Sequence, residues 1–217
     1  MKYRITILLC LIITSLAHSQ IYSINGTVIR TNSTADKVNG SPYIDDKYRE
    51  AKVSGADNLV ELRYNVYGDQ MEYKVGNLVY SMNKATHPEV NFQQLNKKYI
   101  YTNYTDEKNT LASGYLLVKF GGETASLYQK ESIIFVPRKE ATSSYEQSKS
   151  AEYKLQAPKY FFKYKSDEIK QVITNKKKFV VLFGEDEAKV KNYIKSEKIN
   201  LSNELDLVKL FKLLNTL

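Results

Sequence analysis

A chain of 217 residues with 32 basic and 24 acidic side chains carries a net charge of +8, and its single cysteine excludes internal disulfides and thiolate metal clusters. Eighteen tyrosines and no tryptophan point to a β-rich body, because tyrosine covers half-buried pleated surfaces while its hydroxyl reaches water. The lysine excess is scattered, which reads first as a device for solubility and second as a surface for acidic partners.

Lys2 and Arg4 precede the apolar run Ile5–Leu16, and Ala17-His18-Ser19 places small residues at the first and third positions of a cleavage site before Gln20. An apolar run of about 12 residues is too short for a hydrocarbon core that needs roughly 20. Residues 1–19 are therefore expected to be a signal peptide, which makes the protein exported, periplasmic or secreted, with no transmembrane span after cleavage. Cys10 lies in the middle of the run behind Leu9, where lipid attachment would need a small residue, so it is expected to be discarded with the signal. Loss of Lys2 and Arg4 lowers the net charge by two, from +8 to +6. Export argues against nucleic acid as a partner.

Residues 20–39, rich in asparagine, serine and threonine, read as a flexible leader with at most one edge strand at Thr27–Ile29. Gly40-Ser41-Pro42-Tyr43 is a turn signal that opens an antiparallel β domain expected over residues 40–164. In Leu59–Tyr67, Val60, Leu62, Tyr64 and Val66 alternate with Glu61, Arg63 and Asn65, the period of a strand with one buried face. Gly68-Asp69-Gln70 reverses the chain into Met71–Val75, and Gly76-Asn77 is a two-residue hairpin turn into Leu78–Met82. Lys98–Tyr104, Gly114–Phe120 and Glu123–Gln129 continue the pattern, with a turn at Gly121-Gly122. Ile133–Val136 reads as a short buried strand ended by Pro137, Arg138–Lys154 as a loop, and Leu155–Tyr164 as a last strand or strap. The fold class is α+β: a curved or partly closed antiparallel meander of about 7–8 strands, followed by a small helical C-terminal segment.

That segment is expected over residues 165–217. Ile169, Val172 and Ile173 share a helical face behind Ser166-Asp167-Glu168. Asn175 caps a second short helix containing Phe179, Val180 and Phe183 and ended by Gly184, with a strand over Phe179–Phe183 as the alternative. Glu185–Lys198 and Asn203–Leu214 read as two more helices, the last with Leu205, Val208, Phe211 and Leu214 on its apolar face and Leu207, Leu210 and Leu213 widening the stripe.

The residues that carry chemistry are few. After signal removal one histidine remains, His87, in a connection before Pro88, where it is expected to be solvated; no serine-nucleophile elbow accompanies it. Carboxylates are the other candidates: Asp45-Asp46 after the turn, and Asp69 and Glu72 around the first hairpin. A glycan hydrolase would need two of them flanking a cleft. No cofactor is expected. The candidate interaction surface consists of Tyr43, Tyr48, Tyr67 and Tyr101 together with the basic run Lys176, Lys177 and Lys178.

The stretches S-P-Y-I-D-D-K-Y from Ser41 and E-L-R-Y-N-V-Y-G-D-Q-M-E-Y to Tyr73 resemble a group of exported proteins from Bacteroidota in which a similar opening and hairpin precede a lysine-rich helical tail. The resemblance runs from Ser41 to Leu217 and is sharpest over Leu62–Tyr73. It implies export and architecture and no reaction. The expected function is a non-enzymatic envelope module that binds an envelope protein or an anionic lipid or glycan. The alternatives are a carrier of a lipid-like ligand and a carboxylate-dependent hydrolase. Large residues at the inward positions Tyr64, Val66, Tyr73, Tyr80 and Leu116 argue for a filled core rather than a carrier's cavity.

Overall fold

The computed structural model describes residues 26–28, 38–141 and 147–217. The expected signal peptide and most of the leader lie outside these residues. The strands in chain order are β1 (Gly26–Val28), β2 (Arg49–Val53), β3 (Val60–Asn65), β4 (Gln70–Val75), β5 (Leu78–Met82), β6 (Glu89–Phe92), β7 (Lys97–Thr105) and β8 (Leu111–Gly121). They are followed by β9 (Ala125–Lys130), β10 (Ile133–Val136), β11 (Glu152–Leu155), β12 (Lys159–Tyr164) and β13 (Lys170–Gln171). Helices α1 (Lys176–Val180), α2 (Glu187–Ser196) and α3 (Glu204–Leu214) close the chain. No helix among the described residues is long and apolar enough to cross a membrane.

The expected simple meander is corrected by the strand order, β1-β5-β4-β3-β2-β6-β7-β13-β12-β9-β8, with β8 pairing back onto β7. Strands β7, β8, β9, β12 and β13 thus close into a five-stranded barrel, and the other six extend from its β7 side. Five strands joined by antiparallel pairs leave the first and last pointing the same way. The closing pair must therefore be parallel, and β13 meets β7 in parallel register at Lys170 and Thr105. A backbone hydrogen bond from the Thr105 N–H to the Ile169 carbonyl, at 2.8 Å, secures the seam.

The β3–β4–β5 hairpins follow the sequence reading. Val75 pairs with Leu78 across Gly76-Asn77, and Gly76 has φ 58°, the left-handed conformation such a turn requires.

Side-chain alternation sorts the interior into three cores. Tyr115 and Leu117 of β8 face the first, with Leu62, Tyr64 and Met71 of the extending strands. Leu116, one position off, faces the barrel interior with Tyr128, Phe161 and Ile169. Leu127 and Phe162 point out the far side of the barrel, onto Phe179, Phe183, Leu210 and Phe211 of the helical segment. Strand β8 is therefore buried on both faces, unlike a half-exposed meander strand.

Three further expectations are corrected. Ser166–Ile173 is not a helix: Lys165 has φ 48°, and the chain then runs extended through β13. Ile169 enters the barrel and Val172 faces the helices. About two helical turns are too short to offset their own nucleation cost, whereas the barrel seam needs a strand here. Ile133–Val136 forms a strand, but only Ile133 is fully buried, and its partner is β11 in a separate ribbon. Leu205 is 77% exposed; α3 buries Leu207, Leu210, Phe211 and Leu214, which lie one turn apart along a single face.

The other helical expectations agree with the structure. Asn175 and Asn203 accept from the backbone N–H groups of Lys178 and Asp206. Phe179–Phe183 is helical, and Gly184 ends the turn at φ 55°.

Candidate functional site

The carboxylates proposed from sequence are held in structural pairs. Glu72 of β4, 1% exposed, lies across from Arg63 of β3. It accepts from Arg63 Nε at 2.8 Å and Arg63 Nη2 at 2.7 Å, from Asn65 Nδ2 at 2.7 Å and from the Tyr43 hydroxyl at 2.8 Å. The Arg63 guanidinium also lies 4.0 Å from the Tyr43 ring centroid and 4.7 Å from that of Tyr48. The Val66 and Tyr67 backbone N–H groups reach the Pro42 carbonyl at 3.0 and 3.2 Å. The Ser-Pro-Tyr opening and the first hairpin are thus one clamp. Burial and the Glu72 carboxylate push the Tyr43 phenol well above its ordinary pKa, so it stays protonated and donates.

Asp69 sits at φ 50° in the turn between β3 and β4. It accepts from the Tyr64 hydroxyl at 2.5 Å, Lys130 Nζ at 2.6 Å and the Tyr115 backbone N–H at 3.3 Å, with Lys84 Nζ 3.7 Å away. Glu131 takes Lys97 Nζ at 2.9 Å and the Tyr99 hydroxyl at 2.7 Å. In the helical segment Asp186 accepts from Lys165, Tyr164 and Lys189, and these contacts hold its carboxyl well below the usual range. Asp45, on the surface, accepts from Arg49 Nε at 3.1 Å.

Asp45 and Glu131 share a cleft, which Arg49, Arg63, Lys97, Phe92 and Tyr99 also line. Its volume is about 40 Å³, room for a water or two, whereas ligand pockets run to roughly 300–1,000 Å³. A larger open groove of about 310 Å³ runs between Pro158, Tyr160, Val172, Thr174 and Leu201, with no carboxylate in its lining.

His87 is corrected as well. It is buried, and its Nδ1 lies 2.7 Å from the Ser54 carbonyl oxygen. A carbonyl can only accept, so Nδ1 carries a proton and the imidazole pins the loop after β2.

The four candidate tyrosines do not form one patch. Tyr43 and Tyr48 flank Arg63. Tyr101 is half-buried beside Tyr115, its ring centroid 5.4 Å away, and its hydroxyl reaches Ser113 at 3.2 Å. Only Tyr67 is strongly exposed, at 50%. Lys176, Lys177 and Lys178 all face solvent in the first turn of α1.

Tyr67 leads to a surface element that the sequence reading passed over. Between barrel strands β9 and β12 the chain forms a separate hairpin arm, seated on the body by Ile133, buried in the first core, and by Tyr153, packed against that core. Its strands β10 and β11 pair Ile133 with Leu155 and Phe135 with Tyr153. Mutual backbone hydrogen bonds of Lys139 and Lys149, at 3.0 and 2.8 Å, extend the pairing. The ring centroids of Tyr67 and Phe135 lie 5.2 Å from that of Tyr153 and 6.5 Å from each other, all tilted or edge-on. Phe135 is 39%, Ile134 45% and Leu155 60% exposed. Such residues are unremarkable singly, but three on one short ribbon beside Tyr67 mark a contact surface. The available signal was the alternation of Ile133 with Phe135 and of Tyr153 with Leu155.

No known protein family matches the chain, and no curated protein or solved structure matches it either.

Proposed function

We propose that the protein is an exported envelope module, non-catalytic, that binds its partner through the β10–β11 arm and the adjoining Tyr67. The observation that carries this reading is the concentration of exposed Phe135, Ile134 and Leu155 on that one element, with exposed Tyr67 against it. The placing in the envelope rests on the charged, apolar and small-residue regions of residues 1–19.

The alternatives draw less support. A carrier needs internal volume, and the first core is packed with Tyr64, Tyr73, Tyr99 and Tyr115. A carboxylate hydrolase needs acids free to exchange protons beside a sugar-sized cleft, and Glu72 and Asp69 are each held by three side-chain or backbone partners in fixed geometry.

The test is fractionation of the protein in its host. The chain should sediment with the envelope, and a Phe135→Ser, Leu155→Ser double variant should move to the unbound fraction with its melting temperature nearly unchanged. Equal sedimentation of both would remove the arm as the contact element.

A further inference from the structure

Resting on that reading of the arm, we infer that its partner docks as an extended polypeptide segment, added as a strand to the outer edge of β10. Two backbone hydrogen bonds fix which way the ribbon's peptide groups point. The Gln156 N–H donates to the Ser132 carbonyl at 2.9 Å, and on the other side of β11 the Tyr153 N–H donates to the Asn39 carbonyl at 2.8 Å. Peptide groups alternate in direction along a strand. With Ile134 paired to Lys154 and Val136 to Glu152, the N–H and C=O groups of Ile134 and Val136 therefore face β11. Those of Ile133 and Phe135 face away from it. The outer edge of β11 is already taken by Asn39, which also donates to the Ala151 carbonyl at 2.9 Å. On the outer edge of β10, no hydrogen bond among the described residues reaches the backbone of Phe135.

The open stretch is short and centred on Phe135. Ile133 before it is buried, and Pro137, the next outward position, has no N–H to offer. Edge strands are ordinarily blunted by a charged side chain, a bulge or a proline within the strand. Ile-Ile-Phe-Val in β10 holds none of these, and its residue types are among those that fit a sheet best. An added strand would satisfy the Phe135 N–H and C=O. It would also lay a side chain beside exposed Ile134, on the ribbon face turned away from the body. In this mode the main chain supplies affinity and alternate side chains supply specificity. A lipid surface has no peptide groups to pair with such an edge.

The experiment measures binding of the purified mature chain to envelope membranes isolated from its host, and to vesicles made from the lipid extract of the same membranes. Binding to the membranes and not to the lipid vesicles is expected. Phe135→Ala and Phe135→Pro both remove the ring, but only the second removes the outward N–H, at an edge position that tolerates proline. The proline variant should bind roughly ten-fold more weakly than the alanine variant. In the free wild-type chain the Phe135 amide should exchange quickly while those of Ile134 and Val136 exchange slowly, and on binding the Phe135 amide should slow as well. Slow Ile134 and Val136 amides in the proline variant show that its ribbon still forms; if they are fast, the wild-type exchange result alone decides. Equal binding of the two variants with the ribbon formed, or a Phe135 amide as fast bound as free, would overturn the added strand. Neither result touches the arm itself, which stands or falls on the Phe135→Ser, Leu155→Ser variant. Equal binding to the lipid vesicles would also overturn the inference. So would a purified chain that dimerises and becomes monomeric on Phe135→Pro, which makes the occupant a second copy.

Discussion

Asp69 and Lys130, 61 residues apart in sequence, meet at 2.6 Å and join the turn of the first hairpin to barrel strand β9. The contact lies over Gly114 of β8, where an added Cβ would come within 2.6 Å of Asp69 Oδ2 and 2.8 Å of Lys130 Nζ. The extending sheet and the barrel are thus fastened by an ion pair whose space depends on a missing side chain.

Lys130→Met should therefore cost about 2 kcal/mol, less than the loss of a fully buried partner, because Asp69 is partly exposed and keeps Tyr64 and Tyr115 as donors. Gly114→Ala should cost about 1–3 kcal/mol by forcing both anchored side chains aside. Denaturant unfolding measures each. A Lys130→Met variant as stable as the wild type would show that the pair fastens nothing.

Two leucines on α3 should behave oppositely. Leu210 is fully buried against the barrel, and Leu210→Ala should cost about 2–5 kcal/mol. Leu205→Ala should change stability by less than about 0.5 kcal/mol. Thermal melts of the two variants check the placement of the helix directly.

Alkali should unfold the protein cooperatively. Burial, with the neighbouring carboxylates adding to it, raises the phenols of Tyr43, Tyr64 and Tyr99. Unfolded tyrosines release their protons near pH 10, so above that pH the folded state binds more protons than the unfolded one and stability falls as pH rises. Tyrosinate absorbance from these residues should grow in together with loss of the fold. A smooth titration in a chain that stays folded would contradict the burial.

Asp186 gives the opposite dependence. Its carboxyl is held low by Lys165, Tyr164 and Lys189, so its contribution is full above the ordinary carboxylate pKa of about 4 and is lost as pH falls through the depressed value. The stability gap between wild type and Asp186→Asn should be constant near neutrality and close below about pH 4. Melting temperatures across that range measure it.

What the sequence revealed was what neighbouring residues decide. Strands β3 to β5 carry their own alternation and turn residues, and α1 and α3 carry their own asparagine caps. Strand β2, Arg-Glu-Ala-Lys-Val, hides its inward face in a small Ala51 and a single Val53. Strand β13 exists because β7 and β12 need a partner, which no local pattern encodes. The clamp at Glu72 was within reach, since Arg63, Asn65 and Glu72 lie on one hairpin, but the arrival of Tyr43 is a tertiary event. The arm was passed over because its serine, glutamate and lysine content between residues 138 and 154 outweighed two short alternations.

The most direct measurement is amide hydrogen exchange of the mature chain, free and bound to envelope membranes isolated from its host. Slowed exchange confined to Ile133–Val136 and Glu152–Leu155, with Tyr67 beside them, is expected. Protection along the Pro158–Thr174 groove or around Arg49 and Lys97, with the arm unchanged, would contradict the arm as the binding surface.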